Sequence, residues 1–330
     1  MDTPDSPAPG SSPGSSPDSA AGSSPGGPGR VAVTGASGLI GSALVTALRA
    51  DGHEVVRLVR RPPRADDEAE WDPSGRRQEL TAGALKSCDA VVHLAGAGVA
   101  EHRWTERYKR ELRDSRVLGT AAIAAALASL PDSARPRTLV CGSAVGYYGD
   151  TGETPVDEDA PAGTGFLADL CQEWEAAAAP ATDAGVRTAF ARTGLVVARS
   201  GGAWGRLFPI FRAGLGGRLG NGRQYWSVIS LDDHIAALRF LLDGGLSGPV
   251  NLTGPEPVTN RAATRAMGSV LHRPTVFAVP APLLRLVLGE FAEDVLGSQR
   301  VLPSRLLAAG FSFAHPTVED ALRAALARPR

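Results

Sequence analysis

Residues 30–61 run RVAVTGASGLIGSALVTALRADGHEVVRLVRR, and this stretch decides the fold. Val31-Ala32-Val33 is a short apolar run ended by Thr34-Gly35, which predicts a buried parallel strand. Residues 39–50 (LIGSALVTALRA) predict a helix that stops at Asp51-Gly52, and residues 53–59 (HEVVRLV) predict a second strand. Between strand and helix, glycines recur as Gly35-x-x-Gly38-x-x-Gly41. Gly35 permits a tight turn, Gly38 lets a diphosphate approach the backbone, and Gly41 lets the helix pack closely on the sheet. The helix start then offers its free N–H groups, at Leu39, Ile40 and Gly41, and the positive end of its dipole to the phosphates. Ser37 adds a hydroxyl donor. An ordinary tight turn is the alternative, but here the glycines come with their strand, their helix and a second strand.

Working outward, the end of the second strand bears on the kind of dinucleotide. A site for the non-phosphorylated cofactor usually places an acid there, on the ribose 2′-hydroxyl. This chain has Arg60-Arg61 and no acid before Asp66. Two guanidiniums suit a 2′-phosphate, which predicts NADP in preference to NAD. Two solvated arginines are the alternative. Residues 88–95 (CDAVVHLA) predict another buried strand, running into a turn at Leu94-Ala95-Gly96. Small residues there would let a cofactor lie flat on the backbone; a second tight turn without a ligand would look the same.

The remaining pattern continues this texture. Helix is expected over 105–130 and from about 167 to 179, strand over 137–142 and 186–197, and an amphipathic helix over 231–243 (LDDHIAALRFLLD). Strands alternating with helices predict an α/β fold: a Rossmann-type, doubly wound parallel sheet with right-handed crossovers. The expected division is a dinucleotide-binding domain over 30–198, to which later segments could return, and a smaller substrate-side lobe over 199–330. Residues 1–29 are nearly all Pro, Ser, Gly, Ala and Asp, too polar to offset ordering entropy, and read as a disordered tail.

The 330 residues are 43% hydrophobic and 21% charged, with a formal net charge of −1. That balance gives no global basic field for nucleic acid or anionic membrane. There is no stretch of ~18 apolar residues and no signal peptide, so the expected setting is the cytoplasm. Cys88, Cys141 and Cys171 are widely spaced and read as reduced thiols, with no metal-ligand spacing.

Several phrases together resemble a known group. The 34–41 turn, His93-Leu94-Ala95-Gly96, Arg103-Trp104-Thr105, the run from Ser143 to Asp150 (SAVGYYGD), Cys171-Gln172-Glu173-Trp174-Glu175, Arg192-Thr193-Gly194 and residues 297–303 (GSQRVLP) resemble the atypical extended short-chain dehydrogenase/reductases of the NAD-dependent epimerase/dehydratase-like, sugar nucleotide epimerase-related family. The resemblance spans roughly 30–325 and includes a small C-terminal domain of unknown function from about 280. It implies turn glycines at Gly35, Gly38 and Gly41, and a catalytic serine at Ser143 that hydrogen-bonds a substrate oxygen. A strand-end cap is the alternative for Ser143.

The same resemblance implies a tyrosine with a lysine four residues on, passing a proton while hydride moves at the nicotinamide. Here that pair is missing. Tyr147 is followed at +4 by Thr151 and Tyr148 by Gly152, and after Pro161 the corresponding places hold Phe166 and Leu170, or Gly165 and Asp169. Arg116 stands where extended members often have Asn. Either tyrosine could serve from its different backbone position, or both pack beside the cofactor; Arg116 or Arg192 could supply the missing charge.

On the substrate side, residues 215–226 (LGGRLGNGRQYW) form a glycine-rich loop whose Arg218, Arg223, Tyr225 and Trp226 suit an anionic small molecule. A solvated connecting loop is the alternative. Asp232-Asp233 read as N-terminal helix caps, His93 as a satisfied core histidine and His234 as a helix-surface residue. Two functions follow: an NADP(H)-binding oxidoreductase or epimerase of a small hydroxyl or carbonyl compound, or a dinucleotide-binding redox sensor or partner-binding module without turnover. Substrate identity and oligomeric state stay open.

Overall fold

The computed structural model describes Met1 and residues 29–328. The expected disordered tail therefore lies, but for Met1 and Gly29, outside the described residues. Seven parallel strands form the main sheet: β1 (Arg30–Thr34), β2 (Glu54–Val59), β3 (Glu68–Glu70), β4 (Ala90–His93), β5 (Thr138–Ala144), β6 (Arg187–Thr193) and, after four short strands elsewhere, β11 (Gly248–Leu252). Their spatial order is β11-β6-β5-β4-β1-β2-β3. The order reverses between β1 and β4, so a crevice opens at the carboxyl ends of those strands. The doubly wound Rossmann sheet predicted from the repeat of strand and helix is the fold observed.

Helices cover both faces. On one lie α1 (Leu39–Ala50) and, from late in the chain, α7 (Leu231–Asp243); on the other α2 (Gln78–Leu85), α3 (Glu106–Ser129), α4 (Phe166–Ala176) and α5 (Ala179–Asp183). Val33, Leu44, Leu48, Val92, Val140, Leu238 and Leu252 fill the first layer, and Leu85, Val91, Ile123, Leu127 and Leu139 the second. Both faces are covered, so the strands are apolar runs rather than alternating ones. β3 and α2 escape sequence reading because EAE and a polar eight-residue helix carry no clear periodicity.

One expected element divides. Residues 186–197 are not a single strand: β6 stops at Thr193, and β7 (Leu195–Val197) pairs with β10 (Val228–Ser230) in a separate ribbon. Gly194 makes the break, where an added Cβ would strike the Ser227 carbonyl. Beyond it the second lobe is built from α6 (Gly202–Arg212), β8 (Gly217–Leu219), β9 (Tyr225–Trp226), β12 (Val258–Thr259), α8 (Asn260–Leu271), β13 (Phe277–Val279) and the short helices α9 (Ala281–Leu288), α10 (Phe291–Leu296) and α12 (Val318–Ala327), while α11 (Ser304–Ala308) packs on β11 of the main sheet. Trp204, Phe208, Phe211, Met267 and Leu322 form its core. Residues 231–252 return to the main sheet, so the lobe is interrupted in sequence.

Three polar residues sit differently from expectation. Ser230, not Asp232 or Asp233, caps α7: its hydroxyl accepts from the Asp233 N–H at 2.9 Å. Asp233 is buried and accepts instead from the Ala314 and His315 N–H groups, while Asp232 pairs with Arg328. His234 is fully buried, not on the surface. It lies three residues after Leu231 and four before Leu238, on the apolar stripe of α7, with Nε2 3.1 Å from the Thr193 hydroxyl. His93 is buried as expected but only half satisfied. The Thr34 hydroxyl accepts from the N–H groups of Leu94 and Ala95, so its own proton goes to His93 Nδ1 at 2.8 Å, and Nε2, beside the edge of Trp71, has no partner among the described residues.

Burial holds the His93 imidazole down to about 4 and that of His234 down to about 3. Both are neutral in the fold, whereas an unfolded histidine titrates near ~6.5. Below that pH the unfolded chain binds protons that the native state refuses. The stability these groups contribute is thus present above pH ~6.5 and lost as pH falls towards 4 and then 3. The urea midpoint is expected to drop across this window, and to drop less in a His234→Gln variant. A wild-type midpoint that stays level from pH 6.5 to 4 would show that the imidazoles are not sequestered.

Candidate functional site

The crevice between β1 and β4 is shaped by backbone contact. Gly35 takes φ +66°, and a Cβ there would lie 2.8 Å from the Leu94 carbonyl; a Cβ on Gly41 would drive into the Gly35 carbonyl. The Gly35 carbonyl accepts from the Gly38 N–H at 3.0 Å, and α1 begins at once, with no side-chain cap and no acid in its first turn. Among the described residues no group accepts from the N–H of Leu39, Ile40 or Gly41. Three orphan amides and the positive end of a twelve-residue helix thus open onto a glycine-lined turn, a geometry fitted to a diphosphate. Ser37 is exposed on this turn. Leu94, Ala95 and Gly96 form the facing wall, held to β1 by the Thr34 hydroxyl.

The arginine pair at the end of β2 splits. Arg61 is committed: its guanidinium makes a two-pronged bond to Glu68, at 2.8 and 2.9 Å. Arg60 is exposed, with no ion pair among the described residues. The expected joint grip of two guanidiniums is therefore corrected to one free arginine and one held by an acid. Glu68 arrives on β3, an element the sequence did not reveal. Asp67 similarly occupies Arg57, and each of these arginine partnerships draws its carboxylate down to about 2.

At the carboxyl end of β5 lies a buried polar cluster. Glu175, on α4, accepts from Arg192 at both oxygens (2.8 and 2.9 Å), and its Oε1 also accepts from the Ser143 hydroxyl at 2.6 Å. Arg192 donates further to the Tyr148 hydroxyl at 2.9 Å, which donates to Asn251 on β11 at 2.8 Å. Burial opposes the Arg192 charge, but Glu175 more than offsets it and keeps that guanidinium above the ordinary arginine range. Burial pushes the Tyr148 phenol up to about 12. Tyr148, expected as a catalytic candidate, is thus an enclosed, fully hydrogen-bonded strut. Tyr147 differs: it is half-buried, its hydroxyl has no partner among the described residues, and the Arg192 guanidinium lies 3.4 Å from its ring centroid.

Ser143 is also redefined. Its proton is spent on Glu175, so its oxygen can accept from a substrate hydroxyl but cannot polarise a carbonyl by donation. Phe166 and Leu170 belong to an apolar cluster with Trp104, Tyr108 and Leu112, which closes that place to proton chemistry. Arg116 lies under the Gly96 turn, donating to the Ala97 and Leu112 carbonyls, with its guanidinium 5.1 Å from the Trp174 ring. Arg116 has no carboxylate partner among the described residues. The three thiols are buried, and burial raises Cys88 to about 11 and Cys141 and Cys171 to about 12, leaving them protonated and inert. Among the described residues no group of three or more His, Cys, Asp or Glu is placed to hold a metal.

The expected substrate loop at 215–226 is ordered into β8 and β9, and its four side chains do not converge. Arg223 pairs with Glu153 in solvent. Trp226 packs edge-on to Trp204, and Tyr225 lies under Arg300. Arg218 faces α8 instead. Near Tyr225, residues 297–302 are stitched to 150–156: Thr151 N–H donates to the Ser298 carbonyl at 2.7 Å, Arg300 N–H to the Thr151 hydroxyl at 3.0 Å, and Val156 bridges Val301. This seam follows directly after Tyr147-Tyr148-Gly149 and fixes that turn.

Glu175 and Asn251 were not foreseen as site residues. Glu175 had a signal: it falls four residues after Cys171, on the buried stripe of α4, and an acid there needs a buried partner. Glu175→Gln would leave Arg192 buried without its counter-charge and is expected to cost about 3–5 kcal/mol in urea unfolding. Adding Arg192→Met to that variant should recover part of the loss; a single-variant cost below about 1 kcal/mol would show the pair to be solvated.

Comparison with known proteins places the chain. The family model for the NAD dependent epimerase/dehydratase family matches residues 31–252, and a domain of unknown function, DUF1731, matches 279–325. Epimerase family protein Mb2239 of Mycobacterium bovis is 49% identical over 301 residues, covering 91% of this chain and 98% of its own. Human epimerase family protein SDR39U1 is 35% identical over 299 residues, 89% of this chain and 98% of its own. The crystal structure of human SDR39U1 isoform 2 with NADPH superposes with a TM-score of 0.83 at 34% identity, over 91% of this chain and all of that one. A nucleoside-diphosphate sugar epimerase from Corynebacterium glutamicum gives 0.75 at 34% identity, over 91% of this chain and 58% of its own. Fold, glycine turn and both matched segments agree, and the chain belongs to the NAD dependent epimerase/dehydratase family, with a DUF1731 domain at its C-terminal end.

Proposed function

We propose that this chain is an NADP(H)-dependent oxidoreductase or epimerase of a small hydroxyl or carbonyl compound, in which Tyr147 handles the proton. The reading rests on the three orphan amides at the uncapped start of α1, which leave a diphosphate-shaped need in the protein itself. The NADPH in the crystal of the human relative supports the phosphorylated cofactor, and Arg60 is the guanidinium free to meet its 2′-phosphate.

When bound, the nicotinamide supplies or accepts hydride at its C4. The chain does the rest. Gly35, Gly38 and Gly41 bring the backbone to the diphosphate, with Ser37, Leu39 and Ile40 around it, and Leu94, Ala95 and Gly96 wall the opposite side. Tyr147 gives a proton to the carbonyl oxygen as it becomes hydroxyl, or takes one in the reverse direction. Arg192 over the ring stabilises the negative charge left when that proton departs, a task the family gives to lysine. Ser143 accepts from a substrate hydroxyl and so orients it. A cytoplasmic setting fits this chemistry.

One observation favours the second reading, binding without turnover. The sequence has two lysines, Lys86 and Lys109, and Lys109 is held by Glu106 and Glu290. No ammonium backs Tyr147.

Titration with NADPH and NADH, followed by nicotinamide fluorescence, tests the cofactor. NADPH should bind at least about tenfold more tightly, Arg60→Ser should abolish that margin, and Arg61→Ser should change it less. Equal affinities in the parent would end the assignment to NADP. On any carbonyl compound that the parent reduces, Tyr147→Phe should lower kcat by about 10²–10⁴ with the cofactor Kd unchanged. Full activity in Tyr147→Phe removes the tyrosine from the mechanism; a parent that binds NADPH yet turns over nothing in a broad panel leaves the second reading.

A further inference from the structure

A second place in the molecule asks for a negative charge. β8 presents alternate side chains to opposite sides: Gly217 and Leu219 face Trp204 and Trp226, while Arg218 faces α8 and β13. There Arg218 meets Arg261 and Arg265, one helical turn apart on α8, around a cavity of about 210 Å³ completed by Thr264, Thr275 and Phe277. None of the three guanidiniums pairs with a carboxylate among the described residues, whereas Arg57, Arg61, Arg77, Arg192 and Arg223 each do. Arg261 spends one N–H on the Asn221 carbonyl. The Nε of Arg218 is buried and has no hydrogen-bond partner among the described residues. Gly222 draws the cations together: a Cβ there would meet both Arg218 Cδ and Arg261 Cβ at 3.2 Å.

Three like charges line one hollow, Arg261 and Arg265 exposed and Arg218 half-buried with an orphaned buried donor, and an anion seated there would meet all three. We propose that this pocket is a binding site for a phosphoryl anion, separate from the dinucleotide turn. A carboxylate would neutralise one of the three cations, whereas a phosphate or diphosphate matches their charge and the forked donors of arginine. A hollow of about 210 Å³ has room for a phosphate or diphosphate group. Thr264 and Thr275 supply neutral hydroxyls, and half-exposed Phe277 forms an apolar wall for whatever carries the phosphate. None of the six residues lies on the seven-stranded sheet, so the site stands independently of the function proposed above.

Calorimetric titration of the full chain with inorganic phosphate and with pyrophosphate, at constant ionic strength and with NADPH at saturation, tests the proposal. Saturable binding of pyrophosphate is expected, weakened at least about tenfold by Arg265→Gln and by Arg218→Gln, with the NADPH affinity of Arg265→Gln unchanged. Arg265 is exposed, so its variant folds even if that of Arg218 does not. No saturable binding of either anion by the parent, or equal binding by parent and Arg265→Gln, overturns the site. Pyrophosphate that merely displaces NADPH in all variants assigns its binding to the glycine turn and also overturns it. If the parent binds no NADPH, the dinucleotide reading fails by itself, and the arginine variants still decide this one.

Discussion

Much of this molecule depends on how closely two backbone turns approach at the carboxyl ends of β1 and β4. Gly35 lies against the Leu94 carbonyl, Gly41 against the Gly35 carbonyl, and the Thr34 hydroxyl ties both turns by accepting from Leu94 and Ala95. Any side chain at those glycines would separate helix from strand. The cap position itself is Gly38, which has no side chain to offer, so among the described residues the helix enters the crevice uncapped. Packing of the core and the capacity for an anion are therefore one constraint: the same missing Cβ atoms serve both.

At the other end of the crevice the chain solves a charge problem in an unusual way. A tyrosine–lysine pair keeps its cation on the helix that carries the tyrosine. In this chain the cation stacked on Tyr147 is Arg192, on the adjacent strand β6, and its position is set by Glu175 from α4 and by Tyr148 from the turn. Arginine stays charged in such surroundings because its carboxylate partner is bidentate, and its planar face is free to stack on Tyr147. The cost is that Ser143 becomes part of the support, with its proton turned inward.

The fold was legible because its signals are local and redundant: α1 and α7 begin and end where their apolar spacing, glycines and acids place them, and the glycine turn names its own strand and helix. The site was legible only in part. That Tyr148 is a strut and Tyr147 is open depends on Asn251, a hundred residues away, and on the turn after β5. The fate of Arg61 depends on Glu68, in a three-residue strand without periodicity. His234 was the avoidable miss, since its spacing from Leu231 and Leu238 already puts it on the buried face. Charges are read wrongly from sequence when their partners come from elsewhere in the chain, and buried polar groups almost always have such partners.

The seam between residues 150–156 and 297–302 also has a temporal meaning. Its hydrogen bonds join positions about 150 apart, and they fasten the segment that follows Tyr147-Tyr148-Gly149. During synthesis at roughly 5–20 residues per second, the sheet strands up to β5 leave the ribosome about 8–30 seconds before their fastening arrives. Until then the turn itself is held by the Gly163 N–H on the Tyr147 carbonyl and by the bonds of the Tyr148 hydroxyl to Arg192 and Asn251. A nascent chain can thus build its nucleotide crevice early, while the segment beyond the Tyr147 turn is fastened only when the C-terminal domain is made.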